Sequence, residues 1–431
     1  MKKKLILNKV LPVILVIFFL NQIINQNVAQ SDYSDRDPES DGQIIFLNAD
    51  SHYDYGLKVG NKFRLQYKLL DILVRVLKKN NFNANDVKDQ LNAIDQYCPF
   101  FLEELRGLAA STNIKLERLL YLKSFLSSFG GSCSLMLATG NATKNNETFL
   151  INNIDNVIES VRDLFYVFVD RLAMAFKLFW VKDVSYSEFD YKYVYYGIPV
   201  IMEFPIINEK GLGFGVVGTK ATKNESRDID IGPGIDMDML RSLAMFTCKN
   251  VSEVACLYKS MERMSTLSPS GTLINDVTAW CDSEGSILMI EETNNYITTV
   301  FGNSTEITGA PEEILWHANH HQWLDPNLTG SIYPGEYPSS ELRAIRTKEL
   351  LEDNYGNINL EICKQMAGDH GGGFNPNRKD SGDICRHSDK RSIVFTVVSF
   401  IINPKELTLY VSPISPCKGL YLKCDFSKKL T

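Results

Sequence analysis

Residues 130–156 read GGSCSLMLATGNATKNNETFLINNIDN. SLMLA and ETFLINN are short, largely apolar runs on either side of NATKNN, whose asparagines and threonine suit a turn, so the pattern predicts a β-hairpin that starts at a cysteine. Gly130 and Gly131 ahead of it permit the backbone angles of a strained turn. A thiol attacks only as thiolate, and nothing adjacent to Cys133 in the chain supplies a base or a positive charge. Three readings follow. A free cysteine at a strand start is most commonly a small buried hydrophobe. A distant His370 or His320 would make Cys133 half of a papain-like pair. Scission of the Ser132–Cys133 bond would place an α-amine, ordinarily titrating near about 7.7–8.0, beside its own thiol, and the flanking glycines favour this reading.

Outward from the hairpin the pattern changes character. Upstream, Leu57 to Lys79, Pro99 to Leu108 and Lys115 to Phe129 carry apolar residues at helical spacing. Downstream, strand signals recur at 211–222, 278–293, 295–302 and 392–413, with helical stretches at Asp236 to Phe246, Val251 to Ser265 and Ser340 to Asn354. Hairpins such as Asp282-Ser283-Glu284-Gly285 argue for layered α+β and against a Rossmann sheet, and no G-x-G-x-x-G follows a strand. Val157 to Val181 is apolar around much of a helical circumference, which reads as a buried core helix or as a lid that contacts lipid.

The chain has 431 residues, 44% hydrophobic, enough for one large core or two modest ones. A net charge of -7 gives no basic field, so nucleic acid is not an expected partner. Lys2-Lys3-Lys4 followed by LPVILVIFFL at 11–20 resembles a signal peptide, short for a membrane span, so residues 1–29 are expected to be a signal peptide or an uncleaved anchor. Residues 30–42 are polar and acidic and read as a linker, and 43–431 as a single domain. Sequons at Asn141, Asn146, Asn224, Asn250, Asn303 and Asn327 fit an exported glycoprotein in the extracellular space or an endomembrane lumen. Membrane contact would come through the N-terminus or residues 157–181.

Nine cysteines, none in a C-x-x-C pair, argue against a zinc ribbon, and export would let Cys417 and Cys424 pair. His317, His320 and His321 have helical spacing but no partner carboxylate at a metal-ligand offset, so no metal is expected. His370 and His387 read as organisers of a loop beside the site.

Several motifs occur together in order: Cys133-Ser134-x-x-x-Ala138-x-Gly140-x-Ala142-Thr143-Lys144, then Ile151-Asn152-Asn153-Ile154-Asp155; upstream Cys98 to Ala109, with Glu103-Glu104-Leu105-Arg106-Gly107; downstream Asn208 to Gly213, Ala318-Asn319-His320, Ser340-x-x-Arg343, Asp369-His370 and Ile384-Cys385-Arg386-His387. Over residues 45 to 425 this set resembles the penicillin acyltransferase-like family of N-terminal-nucleophile hydrolases, whose members read C-S-S-F, A-T-K-D-G and R-N-x-D-W. The resemblance implies a four-layer αββα sandwich and an autocleaved chain whose β part begins at Cys133, after Ser132. It implies Cys133 as nucleophile with its α-amine as base, Asp155 as the carboxylate that holds amine or thiol, and Asn319 as the oxyanion amide. Arg386 or Arg343 would be the guanidinium near the centre. Taken without the resemblance, Asp155 could be a turn residue and Asn319 a helix cap.

Two positions depart from the family pattern. Its arginine is Asn152 here and its aromatic is Asn156, and Val157 to Tyr191 reads as an enlarged insertion. The implied activity is an amidohydrolase that cleaves a linear amide with a hydrophobic acyl group through a Cys133 thioester, with no metal or organic cofactor. An acyl-CoA-dependent N-acyltransferase shares the first half-reaction, and an unprocessed binding protein of the same fold is the alternative that Asn152 favours.

Overall fold

A computed structural model describes residues 44–77, 84–126, 133–157, 179–184, 190–221, 234–264, 266–267, 273–325, 328, 338–371, 382–387 and 394–430. The expected signal segment, the linker, Ser132 with its two glycines, and most of the apolar stretch after Val157 lie outside these ranges.

The chain opens with strand β1 (Ile44–Ala49), followed by helices α1 (His52–Lys62), α2 (Arg64–Leu77), α3 (Ala84–Tyr97), α4 (Pro99–Thr112) and α5 (Leu116–Leu126). The hairpin β2 (Ser134–Ala138) and β3 (Phe149–Val157) comes next, then β4 (Phe179–Val184), β5 (Tyr193–Ile198), β6 (Met202–Asn208), β7 (Gly213–Ala221) and the two-residue β8 (Ile235–Asp236). After α6 (Met237–Thr247) and α7 (Val251–Ser260) run β9 (Arg263–Met264), β10 (Thr266–Leu267), β11 (Leu273–Cys281), β12 (Ile287–Glu292), β13 (Ile297–Phe301) and β14 (Ile314–His317). Helices α8 (Pro338–Asp353) and α9 (Leu360–Ala367) precede β15 (Val394–Asn403), β16 (Thr408–Ser412) and β17 (Leu422–Asp425).

The strands form two sheets. One runs β1-β4-β5-β6-β7-β11-β12-β13, with β10 beside β11; the other runs β14-β2-β3-β15-β16-β17. They meet face to face through β2 and β3 against β7 and β11. Helices α1 to α7 lie on the outer side of the first sheet, and α8 and α9 on the outer side of the second. This is the four-layer αββα sandwich that the resemblance implies. Because both faces of the second sheet are covered, every residue of SLMLA is buried. Leu135 and Leu137 pack into the space between the sheets, while Met136 and Ala138 face the α8–α9 layer, the period-two alternation of a strand.

Local chemistry accounts for the helix limits. Ser51, Asp236 and Asn250 each accept a backbone N–H of the first turn of α1, α6 and α7, and Pro99 starts α4 where a missing N–H costs nothing. In α4 the motif glycine Gly107 lets α1 cross it closely: a methyl there would sit 2.1 Å from the carbonyl oxygen of Tyr53. The motif acid Glu104 is fully buried and ion-paired to Lys182 at 2.8 Å, and its Oε1 lies 2.6 Å from His52 Nδ1. Lys182 also reaches Glu203 at 3.3 Å, so the ion is compensated on both sides.

Three expectations change. The helix expected over Leu57 to Lys79 is two helices, separated at Phe63. The one expected over Val251 to Ser265 ends at Ser260. The apolar stretch Val157 to Val181 ends as strand, since Phe179, Trp180 and Val181 belong to β4. Its continuation to Tyr191, read as an insertion, therefore supplies a strand set between β1 and β5. A strand buried on both faces shows the same unbroken apolarity as a buried helix, which explains the misreading. Among the described residues no helix is long and apolar enough to cross a membrane.

Candidate active site

Cys133 is the residue before β2, 7% exposed, and lines a pocket. The pocket lies between the sheets. Its walls are apolar, with Tyr196, Phe204, Phe214, Val216 and Phe400 among them, and it is bounded by Cys133, Asn152 and Asp155 on one side and by Arg241 and Asp276 on another. The last two form a buried ion group: Arg241 pairs with Asp238 and lies 3.1 Å from Asp276. Burial pushes the Asp276 carboxyl up to about 6, against the pull of Arg241.

Register brings the two halves of the hairpin motif together. Ser134 pairs with Asn153, so Cys133 lies near Asp155 on the neighbouring strand, and its Sγ is 4.0 Å from the Asp155 carbonyl oxygen. The carboxylate points the other way, toward the α8–α9 layer, where Oδ1 accepts from Thr396 Oγ1 at 2.7 Å. Oδ2 has no hydrogen-bond partner among the described residues. Burial raises the Asp155 carboxyl to about 6; Arg386, Arg343 and the Thr396 hydroxyl oppose the rise.

Both candidate arginines are at the site, in different positions. Arg343, fully buried on α8, donates from Nη1 to the Cys133 carbonyl oxygen and, at 3.1 Å, to Ser134 Oγ; Nη2 donates to Asn319 Oδ1 at 2.8 Å. Arg386 sits behind Asp155, its backbone clasping Thr396: Arg386 N donates to Thr396 Oγ1 at 2.8 Å and Thr396 N to the Arg386 carbonyl at 3.0 Å. Among the described residues Asn319 caps no helix. Its Nδ2 donates to the Gly218 carbonyl on the pocket wall at 2.7 Å, and its backbone N–H to Ser340 Oγ at 2.7 Å.

The sites of the histidines disfavour a papain-like pair. Among the described residues that line the pocket there is no histidine. His320 faces Ser340 Oγ at 2.7 Å, and burial pushes its imidazole down to about 4, too weak a base to hold a thiol proton near neutrality. His317 is fully buried between the Ala318 carbonyl and Glu291 Oε1, each 2.6 Å away. Cys424 is buried in the core, Cys417 lies beside His387, and neither forms a disulfide.

Asn152, where the family pattern has arginine, ties the sheets together. Its Oδ1 accepts from Val216 N at 3.0 Å and its Nδ2 donates to the Ser134 carbonyl at 3.2 Å. Sequence reading missed Asn153, whose Nδ2 donates to the carbonyls of Ala367 and Ile384 at 2.8 and 2.9 Å, and Thr396. An Asn-Asn-Ile-Asp run inside a strand pattern is the signal that could have found Asn153, since buried amides need partners.

No protein-family model matches the chain, and no curated protein matches it. Among solved structures it is similar to penicillin V acylase from Agrobacterium tumefaciens, at 11% identity, covering 65% of this chain and 83% of that one, with a TM-score of 0.37. It is also similar to a mutant of conjugated bile acid hydrolase from Clostridium perfringens, at 13% identity, covering 69% and 93%, with a TM-score of 0.39. At these values the assignment of roles rests on the geometry of this chain's own side chains.

Proposed function

We propose that the chain is a cysteine N-terminal-nucleophile amidohydrolase acting on a linear amide with a hydrophobic acyl group. The observation that carries this reading is Cys133 lining an apolar pocket, close to the buried Asp155 carboxylate, one of whose oxygens has no hydrogen-bond partner among the described residues. The apolar lining, with Tyr196, Phe204, Phe214 and Phe400 in it, suits a hydrophobic acyl chain.

Maturation begins when Cys133 Sγ attacks the Ser132 carbonyl. The C–N bond breaks, the nitrogen takes the thiol proton, and water hydrolyses the thioester to a Ser132 carboxylate and a Cys133 amine. Asp155 supports the new charge, since a primary ammonium offers its buried carboxylate a counter-ion. In turnover the amine takes the Sγ proton and the thiolate attacks the substrate carbonyl. The leaving amine departs with that proton, and water resolves the acyl-thioester. Asn319 is the proposed donor to the tetrahedral oxyanion, its amide oriented by Arg343 and the Gly218 carbonyl; one such donor is typically worth about 3–4 kcal/mol of barrier. Export through residues 1–29 completes the proposal and rests on the sequence pattern alone.

Terminal sequencing of the purified protein, with a release assay on N-acyl amides, tests the reading. Two fragments, the second starting at Cys133, with turnover abolished in Cys133→Ala, are expected. An intact, inactive chain would leave a binding protein of this fold. Amide synthesis from acyl-CoA that outpaces hydrolysis would make it an acyltransferase.

A further inference from the structure

Four side chains from separate segments converge on the far side of Asp155 from the pocket. His370 follows α9; Cys385 and His387 flank Arg386; Cys417 sits in the short turn Pro416–Lys418. One donor atom from each, two sulfurs and two ring nitrogens, lies within 4.8 Å of the other three. Cys417 Sγ is 3.4 Å and Cys385 Sγ 3.6 Å from His387 Nε2, and the rings of His370 and His387 are 5.1 Å apart at their centroids. With zinc–sulfur bonds of about 2.3 Å and zinc–nitrogen bonds of about 2.0–2.1 Å, tetrahedral donors stand about 3.3–3.8 Å apart.

We propose that His370, Cys385, His387 and Cys417 bind one zinc ion in a closed tetrahedral Cys2His2 site. Two thiolates and two imidazoles select a soft or borderline cation over calcium or magnesium, and four protein donors leave no open position for catalysis. The role is structural. Cys385 is buried, the histidines are half-buried and Cys417 is exposed, which leaves the ion a path in from the Cys417 side. Gly368 makes the approach of the turn feasible, because a methyl there would press to 3.1 Å from the Cys417 Cα. The sequence reading expected no metal: the ligands span 370 to 417 with no spacing characteristic of a zinc motif, and only the fold gathers them.

The site bears on Asp155 through the chain. Zinc would pin Cys385 and His387, and Arg386 between them holds Thr396, which donates to Asp155 Oδ1. Asn153 ties the same two ligand-bearing segments to β3 through the Ala367 and Ile384 carbonyls. Metal loading thus positions the wall behind the carboxylate.

The test uses the full-length chain, purified without chelator or added thiol and dialysed against zinc. Elemental analysis is expected to give one zinc per chain. Cys417 should resist alkylation until a strong chelator is added, and cobalt substitution should give the visible absorption and thiolate charge transfer of a two-sulfur tetrahedral site. Cys417→Ser, a change at an exposed side chain, should weaken zinc binding at least about tenfold without unfolding the chain. Zinc-independent alkylation, or an intact mass lower by two hydrogens with protection released by reductant alone, overturns the proposal; the second result would make Cys385 and Cys417 a disulfide.

Discussion

Arg343 donates a hydrogen bond to the carbonyl oxygen of Cys133, from a position inside the protein that solvent does not reach. The Cys133 main chain is therefore anchored by a charge carried on α8, and Asn319 is oriented by the same guanidinium. Methionine at 343 would keep much of the volume and leave the Cys133 carbonyl and Asn319 Oδ1 without their donor. Arg343→Met is expected to lower stability by about 3 kcal/mol, read from urea unfolding, and to abolish chain cleavage on gels. Lysine cannot supply the two-pronged fork, so Arg343→Lys should restore little of either.

The buried Asp155 carboxyl makes a signed pH prediction. Unfolded it ionises near about 3.9, whereas folded it titrates at about 6, so between these values the folded chain holds the extra proton and stability falls as pH rises. The uncleaved Cys133→Ala chain should lose on the order of 2 kcal/mol from this group between pH 4 and pH 7. Adding Asp155→Asn should flatten that slope and leave stability at pH 4 little changed. A slope that persists unchanged in the double variant would mean the carboxyl titrates normally.

Glu291 predicts the opposite direction. Its carboxylate accepts from His317 Nε2 and from the backbone N–H groups of Gln322, Trp323 and Leu324 at 2.6 to 3.2 Å, and the His317 bond leads the interactions that hold it below the usual range despite burial. This contribution is present above the unfolded value of about 4.3 and is lost as pH falls through the lowered folded value. Glu291→Ala should cost about 3–5 kcal/mol and speed amide hydrogen exchange over 314–324, the segment that carries Asn319.

Asn152 is the join between the sheets under the pocket. Asn152→Ala leaves Val216 N–H and the Ser134 carbonyl unpaired in the interior and is expected to cost about 2–4 kcal/mol by thermal or urea unfolding. Asn152→Arg, the residue of the family pattern, should not recover that loss, because a guanidinium has no acceptor to offer the Val216 N–H.

The pocket's ion group predicts selectivity. Asp236, Asp238 and Asp276 outnumber Arg241 and Lys123 in this group, so the wall it forms carries net negative charge once Asp276 is ionised. Amides whose acyl chain ends in a methyl should be cleaved at least about tenfold faster, in kcat/KM, than the same chain ending in a carboxylate. Phe214→Ala should shift the preference to a longer acyl chain, at about 3–5 kcal/mol of stability.

What could be read from the sequence divides along physical lines. The hairpin at Cys133, the turn at Asp282 to Gly285 and the starts of α4 and α6 were legible because alternation, glycine and helix caps act over a few residues. Strand β4 was not, since Phe179-Trp180-Val181 has the same apolarity on every side whether helical or extended. Arg343 and Arg386 could not be separated by motif order: both approach Asp155, and only packing shows that one holds the Cys133 carbonyl and the other stands behind the carboxylate. The grouping of His370, Cys385, His387 and Cys417 was hidden because it depends on where α9, a loop and a C-terminal turn come to rest.

Strand β1 pairs in parallel with β4 from Ile44 opposite Phe179 to Ala49 opposite Val184, and Glu104 meets Lys182 in the interior. Material from both sides of the 132/133 junction is thus interleaved in one sheet and one ionic network. A nick there would liberate no fragment: the two polypeptides would travel as one particle in gel filtration and part only in denaturant.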